Sequence, residues 1–316
     1  RAAEPAGAMD RPELRRWRGL KRSVEVIAGI GINRQIKRSY LFLARNYRPG
    51  DRIFLMGYSR GAFAVRSLAG LIDKLGLMRP AQITEETMAR LYDLYEREPD
   101  GASARAFRET RCHPRVEITM VGVYDCVRAL GVRWPVLWRL APQAHEFHNH
   151  RLGPATQKGS HALALEETRD AYAPLLWDVP PEREGDIVQM WFRGTHGDVG
   201  GNLGDWHAAR PLSNIPLVWM LERAEAAGLV LPPHWRGRYL TDPGVPSAGN
   251  LRRCPAARLG LCGRCRRADR ATIGVSPRWR ASIRRGSAVV IVARPNGATM
   301  TTPRFFWQNE RRCRQT

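Results

Sequence analysis

The chain has 316 residues, a formal net charge of +21 and six cysteines, enough length for one large α/β domain or two small ones with a substantial core. No stretch approaches the roughly 18–20 uninterrupted apolar residues that cross a bilayer, and Cys112 and Cys126, alone in the first 248 residues, make no disulfide framework. The charge is uneven: residues 249–316 hold 16 arginines, no lysine and two acids, Asp269 and Glu310, hence +14 of the +21, which leaves +7 for residues 1–248.

Residues 1–29 have neither the apolar core nor the small-residue cleavage site of a secretory signal and read as a flexible lead-in. A helix is expected in "INRQIKRSYLFLARNY", where Ile32, Ile36, Tyr40, Leu43 and Tyr47 share one face. "RPGD" stops it, Ile53 to Met56 is a short apolar strand, and Ala62 to Leu75 is the next helix. Thr84 to Arg97 is a third, opened by a threonine with acids in its first turn, where the helix dipole favours negative charge. Glu117 to Tyr124 reads as a buried strand ending at Asp125, and Ile187 to Phe192 as another, ending at "RGTHGDVGG". Between them "HALALEETRDAYAPLL" has helical spacing, and "IPLVWMLERAEAAGL" is an amphipathic helix ended by Gly228. Strands alternating with helices predict an α/β fold: an open, mostly parallel sheet with helices on both faces.

Between the first strand and its helix stands Gly57-Tyr58-Ser59-Arg60-Gly61. A strand, a sharp Gly-x-Ser-x-Gly turn and a helix form the context of a nucleophile elbow. The glycines Gly57 and Gly61 free the turn of colliding side chains, Ser59 is lifted above the sheet edge, and the Arg60 backbone N–H faces a developing oxyanion. A serine hydroxyl needs a base, and the base an orienting carboxylate. In this fold type the order along the chain is Ser, Asp or Glu, then His, each at a strand's carboxyl end; Ser59, Asp125 and His196 satisfy both conditions. The competing readings are a plain turn serine, an Asp125 that caps a following helix at "CVRALG", and a packed loop histidine at 196. Asp198 is the rival orienter, although two residues from His196 it is better placed to organise the loop with Gly200 and Gly201 through backbone hydrogen bonds.

"GYSRGAFAVRSLAGLI" around Ser59, "VGVYDCVRALG" around Asp125, "HALALEETR" from His161 and "WFRGTHGDVGG" around His196, in that order, resemble the α/β-hydrolases of largely uncharacterised function that include the type VI secretion phospholipase effectors. The resemblance covers roughly Ile30 to Ser247, in an expected catalytic domain of residues 30–248. It implies an α/β-hydrolase-like sheet with Ser59 as nucleophile, Asp125 as carboxylate and His196 as base, and an ester, with phospholipid acyl esters foremost, as substrate. It also implies an opening strand leading to an Asp-Gly-Thr turn at the oxyanion site. Nothing in residues 1–29 matches that turn, so the fold is expected to lack its first strand.

No cofactor or metal is expected. His145, His148 and His150 in "HEFHNHR" lack a metal-binding spacing and read as a polar loop, and Cys262 and Cys265 are half of a zinc ribbon whose partners Cys254 and Cys313 are poorly spaced. Trp134, Leu137 and Trp138, flanked by arginines, read as core packing, with a lid over an acyl pocket as the rival and an anionic membrane surface as the partner it would meet. The arginine-rich tail, 249–316, resembles a frameshifted or degraded end, disordered apart from a strand at Ala288 to Ala293; nucleic-acid binding rests on it alone and is not favoured. The expected location is cytoplasmic, with export by a specialised secretion system admitted by the resemblance.

Overall fold

The computed structural model describes residues 32–127, 151–169, 172–204, 206–249, 288–295 and 298–301. The lead-in, residues 128–150 with Trp134 and the three clustered histidines, and the four tail cysteines lie outside the described residues. In chain order the elements are α1 (residues 32–46), β1 (Arg52–Tyr58), α2 (Arg60–Leu75), α3 (Glu85–Arg97), α4 (Ala102–Arg111), β2 (Ile118–Tyr124), β3 (Thr156–Ala164), β4 (Ile187–Phe192), α5 (His196–Val199), α6 (Arg210–Ala226), β5 (Ala288–Ala293) and β6 (Thr299–Thr301). They form one six-stranded sheet in the order β4-β3-β2-β1-β5-β6. β1 to β4 run parallel, β5 antiparallel to β1, and β6 antiparallel to β5. This is the expected α/β fold with a mostly parallel sheet.

The sheet is covered on both sides because its central strands are apolar on both faces. Ile53 and Leu55 of β1 pack with α1, α2, α3 and α4 through Leu43, Leu68, Leu91 and Phe107. Phe54, Met56 and Tyr58 face the other way and meet Met220 and Ala224 of α6. The start of α3 is fixed by a capping box, in which Thr84 accepts from the Thr87 N–H and Thr87 accepts from the Thr84 N–H. No helix among the described residues is long and apolar enough to cross a membrane.

One expectation is corrected. Residues 161–164, expected to open a helix, end strand β3, and 165–176 contains no α-helix among its described residues. β3 lies between β2 and β4, so Ala162, Leu163 and Ala164 are buried on both faces, and a short, wholly apolar run has no period by which to tell strand from helix. The strand expected at Ala288–Ala293 is present as β5. It lies fully buried against β1, pairing Gly57 with Ala288 and Arg52 with Ala293, and turns back through β6. No strand precedes β1 among the described residues, and β5 occupies the flank of β1 away from β2.

Candidate active site

Ser59 follows the last residue of β1 with φ +56 and ψ −121. That backbone conformation is strained for a residue with a Cβ, and the surroundings hold it in place. The Ser59 N–H donates to the Tyr124 carbonyl at 3.1 Å, and the Ser59 carbonyl accepts from the Phe63 N–H at 3.2 Å. Gly57 is required because a Cβ there would lie 2.6 Å from the Gly61 carbonyl carbon and 2.7 Å from the Ala62 nitrogen. Arg60 opens α2, so its N–H belongs to the first helical turn, whose amides have no intrahelical acceptor.

Asp125 follows β2 on the neighbouring parallel strand, also with positive φ, +40. Its Oδ2 lies 2.6 Å from His196 Nδ1, and its Oδ1 accepts from the Ala164 N–H at 3.1 Å. His196 Nε2 in turn lies 2.9 Å from Ser59 Oγ. Asp125 and His196 are almost wholly excluded from solvent, at 1% and 2% exposure. Three side chains 66 and 71 residues apart along the chain thus converge on one rim of the sheet, as their positions after parallel strands required. Arg60 stands beside them.

The loop behind His196 is built around Asp198. Its Oδ2 accepts from the Thr195 N–H and the Thr195 hydroxyl, each at 2.9 Å, and from the Ser247 hydroxyl at 2.5 Å, while Oδ1 accepts from the Ala248 N–H at 2.8 Å. Asp198 thus bonds within the loop and to Ser247 and Ala248, whereas Asp125 Oδ2 faces the His196 ring. Gly200 is where an added Cβ would run into the Tyr58 ring, and Gly201 has φ +69.

Sequence reasoning passed over four residues here. The His196 imidazole packs between the rings of Tyr58 and Tyr172, with both centroids at 4.7 Å. Glu167 accepts from the His196 backbone N–H at 3.2 Å and from Arg169 through both carboxylate oxygens at 2.8 Å. Arg169 lies over the Tyr172 ring, 3.7 Å from its centroid. Burial works to raise the Glu167 pKa, but the hydrogen bonds and charge of Arg169 and the His196 N–H outweigh it, and the carboxyl sits below its ordinary value. The signal was present in "HALALEETR", but the helical reading of that segment separated it from the site. A cavity of about 430 Å³ opens beside this cluster, lined by Leu165, Thr168, Arg169, Tyr172, Pro174 and Trp191. Leu165 and Trp191 are exposed. Among the described residues no group of three or more histidines, cysteines or acids could hold a metal ion.

A hydroxyl, an imidazole and a carboxylate in line at the strand ends of an α/β sheet are an arrangement of the kind found in ester hydrolases. The family described as "T6SS, Phospholipase effector Tle1-like, catalytic domain" matches residues 6–223. The chain belongs to this family, a phospholipase and hence ester-hydrolase family whose substrates are lipids. The match begins well inside the segment read as a lead-in. The chain is also similar to "Uncharacterized protein YEL023C" of Saccharomyces cerevisiae, with 27% identity over 179 residues, 51% of this chain and 24% of that protein. The chain therefore spans about a quarter of that relative's length. No solved structure matches it.

Proposed function

We propose that the chain hydrolyses carboxylic esters, phospholipid acyl esters foremost, through Ser59, His196 and Asp125. The observation that carries this reading is the continuous path from Ser59 Oγ to His196 Nε2, 2.9 Å, and from His196 Nδ1 to Asp125 Oδ2, 2.6 Å. His196 takes the Ser59 proton as Oγ attacks the ester carbonyl, and Asp125 keeps the Nδ1–H tautomer and stabilises the imidazolium. The Arg60 N–H supports the oxyanion. The imidazolium protonates the departing alcohol, and a water activated by the same imidazole releases the acyl group. No step needs a metal or organic cofactor. The family description carries with it delivery by a type VI secretion system and a lipid surface as the place of action. The test is Ser59→Ala in hydrolysis of short p-nitrophenyl esters and of phosphatidylglycerol vesicles. Loss of both activities in a folded protein is expected, and unchanged turnover would eliminate the reading.

A second reading, a hydrolase fold impaired in turnover, is favoured by one observation. β5 is antiparallel to β1, so the start of β5, at Ala288 opposite Gly57, lies toward the Ser59 rim. A parallel neighbour would bring its carboxyl end there, where loops of α/β folds deliver oxyanion donors. Pre-steady-state kinetics separates the two readings. A burst equal to the enzyme concentration followed by steady turnover supports hydrolysis; because an oxyanion donor serves acylation and deacylation alike, the lack of both burst and turnover supports impairment.

A further inference from the structure

We propose that His161 is a positioning residue for the carboxylate: its buried Nε2 accepts the Cys126 N–H and so locks the turn that aims Asp125 at His196. This rests on the reading of Ser59, His196 and Asp125 as the reacting groups. At Asp125 the chain leaves the sheet. The Asp125 N–H still donates to the Ala162 carbonyl of β3, at 2.7 Å. The next N–H, that of Cys126, goes to the His161 side chain at 3.1 Å instead of to a backbone carbonyl. That peptide joins a residue held at φ +40 to the rest of the chain; such a conformation persists only where the surroundings over-determine it.

The surroundings do so from several directions. The Cys126 carbonyl accepts from the Leu175 N–H at 2.7 Å. The Leu175 and Leu176 carbonyls accept from the guanidinium of Arg66 on α2, the helix that begins immediately after Ser59. Trp177 packs edge-on to His161 at 5.4 Å and beneath Arg66 at 5.0 Å, and the Gln189 side chain holds both the N–H and the carbonyl of Trp177. The imidazole is fully buried. Accepting at Nε2 requires the neutral Nδ1–H tautomer. Burial first, and the Arg66 charge second, push the His161 pKa down to about 3, so the ring stays an acceptor wherever a catalytic histidine works. Of the bonds around the Asp125 turn, the His161 ring makes the one to the Cys126 N–H.

The experiment compares His161→Leu, which keeps bulk without an acceptor, with His161→Gln, whose amide oxygen reaches the Nε2 position. Short-ester kinetics and the downfield Nδ1 proton of His196 in 15N-resolved NMR are both measured. His161→Leu is expected to lose kcat by about tenfold or more with KM little changed, as for a misplaced catalytic group, and to lose the downfield proton. His161→Gln is expected to recover both. Should His161→Leu fail to fold by circular dichroism, His161→Asn, whose amide falls short of the Cys126 N–H, takes its place. A downfield proton and kcat unchanged without an acceptor overturn the proposal, and so does equal loss in His161→Gln. The NMR readout needs no turnover, so an inactive wild type overturns the hydrolase reading while leaving the alignment of His196 on Asp125 measurable.

Discussion

Replacing Gly200 with alanine perturbs the site without touching Ser59, His196 or Asp125, the three side chains proposed to react. An added Cβ would fall inside the van der Waals envelope of Cε2, Cδ2 and Cζ of Tyr58. These belong to a rigid ring, held on β1 immediately before Ser59 and only 2% exposed, so it cannot swing into solvent. Either the ring or the Gly200 turn must yield by roughly 1 Å. Each choice moves His196, which packs on that ring at 4.7 Å and lies four residues before the turn. A displacement of about 1 Å at a reacting group costs on the order of 10²-fold in rate. The assay is kcat for p-nitrophenyl butyrate with thermal unfolding alongside. Gly185→Ala serves as control: its φ of +84 strains a side chain, but nothing lies within 4 Å of the new Cβ. The control is expected to lose about 1 kcal/mol of stability and no activity. A folded Gly200→Ala protein with wild-type kcat would refute the packing argument.

Ser59→Ala is expected to lower ester hydrolysis by about 10³-fold or more, because the three groups act as a unit, while Ser59→Gly, equally inactive, is expected to melt higher because glycine tolerates φ +56. Truncation after Ala248 removes β5, in which Val289, Val290, Ile291 and Val292 are each at most 6% exposed. At about 1.5–3 kcal/mol per buried side chain, that loss is comparable with the roughly 5–15 kcal/mol stability of a whole domain. The truncated chain is expected to be unfolded by circular dichroism, and a cooperative melt would contradict the placement of β5. Glu167, with its pKa held below the unfolded value of about 4.3, contributes stability that is complete above that value and lost as pH falls through the folded pKa. Glu167→Gln should therefore melt lower than wild type at pH 7, with the gap closing towards pH 3, and a gap independent of pH would contradict the Arg169 pairing.

The convergence of the candidate residues was legible because parallel α/β sheets bring side chains together at strand ends. Ser59, Asp125 and His196 each follow an apolar run that needs no partner to be recognised as a strand. The glycines at 57 and 200 were legible as sites of close approach, although the ring that Gly200 faces comes from Tyr58, more than a hundred residues away in the chain. What escaped was non-local in the same sense. His161 sits in a run, "HALA", whose apolar character fits helix and strand alike, and the parallel neighbours β2 and β4 decide the matter. Misplacing that strand hid the acceptor for the Cys126 N–H, and with it Glu167, Arg169 and Tyr172 around His196. β5 escaped in a different way: its apolar run was visible, but an arginine-rich context gave no hint that it pairs with β1.

The most direct test of the account is phosphonylation by an alkyl fluorophosphonate, followed by peptide mapping, in wild type and in His196→Ala. One adduct on Ser59 in the wild type, formed at least 10²-fold more slowly without the imidazole base, is the predicted result. No adduct, or one formed at Ser59 at the same rate in both proteins, would contradict it.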